Sequence, residues 1–368
     1  MKSYFFSTQK MTVGYDGIPL INNIDITLKK GEILTLIGPN GAGKSTILKS
    51  IIGQLSLISG TVLLEKDSLN NMSEKEISKK LSIVLTDHVR SEIVTCEDVV
   101  AMGRYPYTGR LGILSSEDKK IVKETMELTA VTDLADKEFF TCSDGQKQRI
   151  MLARAIAQEP EILILDEPTS YLDIRYKLEF LSLLQKMTKK KKLTVIMSLH
   201  ELDLAERISD KILCIKGNYV ERIGTPEMIF QTGYINSLYQ ITEGSFDEHF
   251  GITELQKITG TPETFVIAGG GTGIPIYRKL QRDGIPFSTG ILCENDLDMP
   301  VAKALAVKVV KEIAFRKIQP ETVIKAKQEI DNCKKVICTI KEFGELNQEN
   351  KYLLMHAKEL SLPIIYKF

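Results

Sequence analysis

Nine consecutive residues, Gly38-Pro39-Asn40-Gly41-Ala42-Gly43-Lys44-Ser45-Thr46, have the types and spacing to hold a polyphosphate. They follow the pattern G-x-x-x-x-G-K-S-T, with an apolar run at 33–37 before them and a helical pattern at 47–52 after them. The glycines let the backbone wrap so that several N–H groups point inward. The helix N-terminus adds its dipole. In that arrangement Lys44 reaches the β- and γ-phosphates and the Ser45 hydroxyl ligates Mg²⁺. A glycine turn between strand and helix needs no nucleotide by itself. All fixed positions, in the right local context, select the phosphate reading.

Further groups complement this loop. The apolar run at 161–165 reads as a buried parallel strand and ends in Asp166-Glu167. Two carboxylates at the C-terminal end of such a strand lie where α/β sheets bind ligands. Asp166 suits Mg²⁺ through its hydration shell, and Glu167 is free to orient or deprotonate a water. A second apolar strand, 193–198, carries His200 just beyond its end. Ser143-Asp144-Gly145-Gln146 opens a helix at 150–158 and forms a second phosphate-seeking N-terminus, although any N-capped helix looks like this. Tyr15, in a turn at 14–17, is placed either to stack on an adenine ring or to pack in that turn.

The elements that must position these groups fit a chain of 368 residues, 43% hydrophobic and 26% charged, which is long enough for two domains with real cores. Lys+Arg and Asp+Glu are equal at 48, which gives no support for binding nucleic acid or an anionic membrane in bulk. The lysine run at 189–192 reads as a solvated helix end. Six scattered cysteines without a C-x-x-C pair predict a reduced cytosolic setting, with Cys333 and Cys338 as buried thiols rather than a metal pair. Residues 1–6 lack the apolar core of a signal peptide, and no run approaches the roughly eighteen apolar residues of a membrane span. Helices are expected at 95–103 and 115–130, with 103–109 as an aromatic loop between them.

With these residues in order, residues 1 to about 240 resemble the ATPase subunit of an ABC transporter. The P-loop is 38–46. The family's Leu-Ser-Gly-Gly-Gln signature stands here as Cys142-Ser143-Asp144-Gly145-Gln146. The Walker B strand ends at Asp166 with the catalytic glutamate at Glu167, the D-loop is 170–173, the switch histidine is His200, and Tyr15 fits the aromatic A-loop. The loop at 103–107 and the Ser-Asp-Gly signature resemble the importer branch for iron–siderophores, haem and cobalamin.

The resemblance implies an α/β P-loop NTPase fold: a mixed sheet core, an antiparallel β subdomain and a helical subdomain. It implies an ATPase that uses ATP and Mg²⁺, with Lys44, Glu167 and His200 catalytic. Tyr15, Gly38, Pro39, Asn40, Gly41, Ala42, Gly43, Lys44, Ser45 and Thr46 would hold the nucleotide. Ser45, Asp166 and Asp87 would serve the metal. Two copies would pair head to tail, with Ser143, Gly145 and Gln146 facing the γ-phosphate in trans. The partners would be integral-membrane permease subunits and, indirectly, a substrate-binding protein, with the chain peripheral on the cytoplasmic face of the membrane. A soluble ABC switch not coupled to transport, or an ATPase regulated by a ligand of its C-terminal domain, is the alternative. The family places a glutamine where this chain has Thr86 followed by Asp87, and either residue could serve Mg²⁺ there.

The expected division is an ATPase domain at 1–242, a linker at 243–262 and a smaller Rossmann-like α/β domain at 263–368. Strands and helices alternate through the last of these, as a parallel sheet with covering helices requires. Gly269-Gly270-Gly271-Thr272-Gly273 follows its first strand, and Glu294, Asp296 and Asp298 follow its second. The loop lacks a third fingerprint glycine, since Ile276 stands there. It reads as a phosphate or carboxylate site, or as a tight turn in a scaffold domain.

Overall fold

The computed structural model describes residues 4–85, 94–108 and 112–367, and the chain divides into two compact units, Met1–Tyr239 and Gln240–Phe368. The expected Mg²⁺ position at Thr86 and Asp87 lies outside the described residues.

Unit 1 is built on five parallel strands: Leu81–Val84, Ile162–Leu165, Thr194–Ser198, Ile33–Ile37 and Lys211–Lys216, in that spatial order. Ile33–Ile37, Ile162–Leu165 and Thr194–Ser198 are buried along their whole length, as continuous apolar runs demand when both faces are covered. The sheet continues through Tyr219–Gly224 into Ile18–Ile24, Phe6–Tyr15 and Ser59–Leu64, which pair antiparallel. Phe6–Tyr15 and Ile18–Ile24 form a hairpin with Asp16-Gly17 at its tip, so Tyr15 ends a strand and is half exposed.

The helical part differs from expectation at 103–108; residue 109 lies outside the described residues. The expected loop is instead a single 3₁₀ turn, Met102–Arg104, running into the short helix Tyr105–Thr108. The reason is Arg104, which is buried. Its Nε donates to Asp118 Oδ1 at 2.8 Å, and its Nη1 donates to Ala157 O at 2.7 Å and to Glu159 Oε2 at 2.9 Å. The guanidinium also lies over the Tyr107 ring, 4.1 Å from its centre. Gly103 permits this close approach, since a Cβ there would stand 2.1 Å from Arg154 O. Asp118 in turn closes a capping box with Ser115 at the start of helix Ser116–Leu128. The Ser115 hydroxyl, and then Arg104, hold the Asp118 carboxyl below the usual carboxylate range.

Unit 2 holds five parallel strands in the spatial order Lys308–Glu312, Phe287–Cys293, Thr264–Ile267, Lys335–Cys338, Ile364–Tyr366. The first strand in sequence therefore lies in the centre, with the chain wound outward on both sides, which is the doubly wound arrangement. Alternation along Thr264–Ile267 builds two cores. Phe265 and Ile267 pack with Val323, Ala326 and Leu353 from helices Pro320–Asp331 and Asn350–Glu359. Val266 and Ala268 pack with Tyr277, Leu280 and Val301 from helices Ile274–Arg282 and Met299–Leu305. The stretch 243–262, expected as a linker, carries the antiparallel strands Ser245–Asp247 and Ile252–Glu254 and groups with unit 2. Glu254 pairs with Arg278 of helix Ile274–Arg282, which ties that hairpin down. Cys333 and Cys338 are buried free thiols, and burial pushes Cys333 up to about 11. No helix among the described residues is long and apolar enough to cross a membrane.

Candidate functional site

In unit 1 the parallel strands end at one edge, and their register decides which side chains meet there. Leu36 pairs with Ser198, Leu165 with Met197 and Val84 with Leu165. Gly38, Asp166, Glu167 and His200, just beyond those strand ends, are thereby brought to that edge. A cleft of about 440 Å³ opens there, lined among others by Tyr15, Asn40, Gly43, Lys44, Ser45, Thr46, Glu167 and His200.

The glycine loop takes its shape from backbone that only glycine adopts freely. Gly41 and Gly43 sit at φ 77° and 92°, and a Cβ on Gly38 would stand 2.4 Å from Ile215 O. Helix Lys44–Ile51 begins directly after it with no acidic residue in its first turn, so its positive end is uncompensated. Pro39 O accepts from the Ala42 N–H at 3.2 Å. Lys44 is buried, and its ammonium donates to Gly38 O at 2.8 Å and to Pro39 O at 3.1 Å. Burial lowers its pKa, while the Glu167 and Asp166 carboxylates oppose that shift. The Tyr15 hydroxyl lies 3.0 Å from Thr46 Oγ1, which brings its ring to the cleft wall.

The acidic pair is held from the neighbouring strand. Ser198 donates its hydroxyl to Asp166 Oδ1 at 2.7 Å and accepts the Glu167 N–H at 2.9 Å. Glu167 sits at φ 48°, a left-handed conformation that costs a non-glycine residue and persists where its surroundings enforce it. Its Oε1 is 2.6 Å from His200 Nε2, and its Oε2 accepts from Ser170 Oγ at 3.3 Å. This places a carboxylate and an imidazole in direct hydrogen-bond contact at the cleft mouth.

Ser143 and Gln146 form a capping box on helix Asp144–Ala157. Gln146 Oε1 accepts the Ser143 N–H at 3.0 Å, and Ser143 Oγ accepts the Gln146 N–H at 3.4 Å. Ser143, Gly145 and Gln146 do not line the cleft of their own chain. Cys142, just before them, is buried with its Sγ 3.5 Å from that of Cys96.

The ABC transporter family model matches residues 21–170, which spans the glycine loop, the capped helix and the acidic pair. The uncharacterized ABC transporter ATP-binding protein MJ0873 of Methanocaldococcus jannaschii is 41% identical over 277 residues, covering 75% of this chain and 96% of that protein. The chain belongs to the ABC transporter ATP-binding proteins. The iron(3+)-hydroxamate import ATP-binding protein FhuC of Bacillus subtilis is 35% identical over 235 residues, 64% of this chain and 87% of that one. An inward-facing putative metal-chelate type ABC transporter superposes with a TM-score of 0.58 at 26% identity, over 66% of this chain and 93% of that chain. In the second unit, the MJ0874 family model matches residues 287–367.

For this ABC ATPase the donor chemistry fits Mg²⁺. Hard oxygen donors stand at this edge, the Ser45 hydroxyl in the cleft and the Asp166 carboxylate at the adjacent strand end. Among the described residues no cluster of three or more His, Cys, Asp or Glu could cage a metal. Mg²⁺ is ordinarily held in that way, by one or two protein oxygens together with phosphates.

Two residues at the site are not evident in the sequence. Ser198 is one, although a lone hydroxyl at the end of the apolar run 194–197 is a usable signal. Tyr239 is the other: its hydroxyl accepts the Gly38 N–H at 3.1 Å from 201 residues away, and burial pushes it up to about 12.

The second glycine loop has a different chemistry. The Gly270 N–H donates to both Asp296 oxygens, at 3.0 and 3.1 Å. The Gly273 and Ile274 N–H groups both donate to Asp298 Oδ1 at 3.0 Å. Glu294 pairs instead with Lys311 at 2.7 Å. The expected phosphate or carboxylate position is therefore filled by the chain's own carboxylates.

Proposed function

We propose that this ABC ATPase energises a membrane importer of a metal chelate such as a ferric siderophore, haem or a corrinoid. The observation that carries the catalytic part is the 2.6 Å contact between Glu167 and His200 at the mouth of the glycine-loop cleft. The importer part is supported by the likeness to FhuC and to the metal-chelate type transporter.

Lys44 swings from the Gly38 and Pro39 carbonyls onto the β- and γ-phosphates, exchanging neutral acceptors for charged ones. Gly38 to Thr46 wrap the phosphates with backbone N–H groups, and Tyr15 stacks on the adenine. Ser45 and Asp166 would hold Mg²⁺, which would neutralise phosphate charge. Glu167 orients and deprotonates the attacking water, and His200 donates toward the γ-phosphate. Ser143, Gly145 and Gln146 act on the nucleotide of a second copy, head to tail. ATP favours only the closed pair, so each cycle can drive a permease between two states. Residues 1–242 carry this work and 263–368 form an accessory domain. Through the permease, the chain sits peripherally on the cytoplasmic face of the membrane.

Tyr15→Ala is expected to weaken ATP binding about tenfold, since stacking on a base contributes about 1–3 kcal/mol. Tyr15→Phe, which keeps the ring and loses the hydroxyl contact with Thr46, should stay near wild type. Fluorescent-nucleotide titration reads both, and equal losses in the two variants would assign the effect to the hydroxyl instead.

The importer reading is tested by reconstituting the chain with its permease in vesicles. ATP hydrolysis is then measured with binding proteins loaded with ferric hydroxamate, haem or cobalamin. One loaded protein should raise turnover several-fold, and no response to any of them overturns the reading.

A further inference from the structure

Unit 2 carries a cavity of about 560 Å³ at the C-terminal edge of its parallel sheet, a size that suits a small organic ligand. It is bordered by Gly269 and Gly270 after the central strand, Asp296 and Leu297 after the second, Phe315 after the third and Leu346 after the fourth. That is where a doubly wound sheet takes ligands.

The lining offers a flat apolar face beside a few polar groups. Phe315 is 88% exposed at the rim, held at φ 62°, and Leu346 and Leu297 are more than half exposed on the same cavity. A phenyl face left in water beside a concave apolar wall is a ready stacking surface. Arg316, next to Phe315, offers a fork of donors to ring nitrogens or carbonyls.

The loop chemistry rejects phosphate. Gly270 donates to Asp296, and Gly273 and Ile274 donate to Asp298. The Thr272 N–H donates to Gly269 O at 3.3 Å. The N–H groups that would cradle a diphosphate are thus already used, and two carboxylates stand beside them. Asp296 keeps limited capacity: Oδ1 accepts from Gly270 and Asp298, and Oδ2 accepts from Gly270 alone. Of a carboxylate's four or so lone-pair sites, one on Oδ2 remains for a hydroxyl.

We propose that this cavity binds a phosphate-free nucleoside, with the base against Phe315 and Arg316 and a sugar hydroxyl on Asp296. The glycine loop serves here as a wall whose N–H groups are already engaged by Asp296 and Asp298.

Equilibrium dialysis of the full chain tests this, with saturating Mg-ADP present to occupy the first cleft. The probes are labelled adenosine, guanosine, cytidine and uridine, and their 5′-monophosphates. At least one nucleoside should bind saturably at one per chain, with its monophosphate at least tenfold weaker. Phe315→Ala should weaken that nucleoside at least tenfold while leaving ATP hydrolysis and the melting transition of unit 2 unchanged, the latter reporting that the variant unit is folded. Absence of saturable binding by all four nucleosides overturns the proposal. So does a monophosphate that binds as well as its nucleoside, or undiminished binding in Phe315→Ala.

Discussion

Glu167→Gln should reduce ATP turnover by at least a hundredfold while leaving ATP affinity nearly intact. The amide is close in size to the carboxylate and can keep one acceptor toward His200 or Ser170, whose contacts with Glu167 are 2.6 and 3.3 Å. It cannot take a proton, and positioned general bases contribute about 10²–10⁴-fold. The backbone should be undisturbed, because Ser198 holds the Glu167 N–H rather than its side chain. With binding retained and hydrolysis blocked, an ATP-bound pair should accumulate and elute from a sizing column at twice the chain's mass. Turnover within tenfold of wild type would remove Glu167 from the role of base. A variant that stays monomeric in saturating ATP would overturn the head-to-tail arrangement.

Arg104→Ala should strongly destabilise unit 1, away from the cleft. The guanidinium satisfies a buried carboxylate, a backbone carbonyl and a second, more exposed carboxylate at once. Removing it strands Asp118, whose side chain is only 10% exposed, and removal of one partner from a buried pair costs about 3–5 kcal/mol. Glu159 is 57% exposed and simply rehydrates, so it adds little. For a unit of this size the melting transition should fall by roughly ten degrees, with the unit 2 transition in place. The double variant Arg104→Met with Asp118→Leu should recover part of the loss, because it leaves no buried charge. Calorimetry separates these outcomes. An unchanged first transition in Arg104→Ala would show the pair to be energetically idle.

Arg104 also shows where sequence reading reaches its limit. The apolar runs at 33–37 and 161–165 announce buried strands, and the carboxylates at 166 and 167 announce the edge where chemistry belongs. Those are local signals, and the register of the sheet then assembles them. The Gly-Arg-Tyr-Pro-Tyr stretch gives no local sign that its arginine is buried, because its partners are 14, 53 and 55 residues away. Tyr239 is hidden for the same reason, reaching Gly38 from the far end of unit 1. In unit 2 the alternation of strands and helices is legible almost element by element. The use of its glycine loop is not: the incomplete fingerprint leaves a ligand site and a tight turn both open, and only the positions of Asp296 and Asp298 show that the loop donates to its own chain.

The Ser198 hydroxyl orders both members of the acidic pair. By donating to Oδ1 of Asp166 it fixes the rotation of that carboxylate and spends one lone pair, so the two oxygens are no longer equivalent. The same oxygen atom of Ser198 fixes the peptide of Glu167. Asp166, proposed to face the metal, and Glu167, proposed to face the water, therefore share one alignment pin, supplied by an adjacent strand. A small slip between the two strands would displace the Asp166 carboxylate and the Glu167 peptide together.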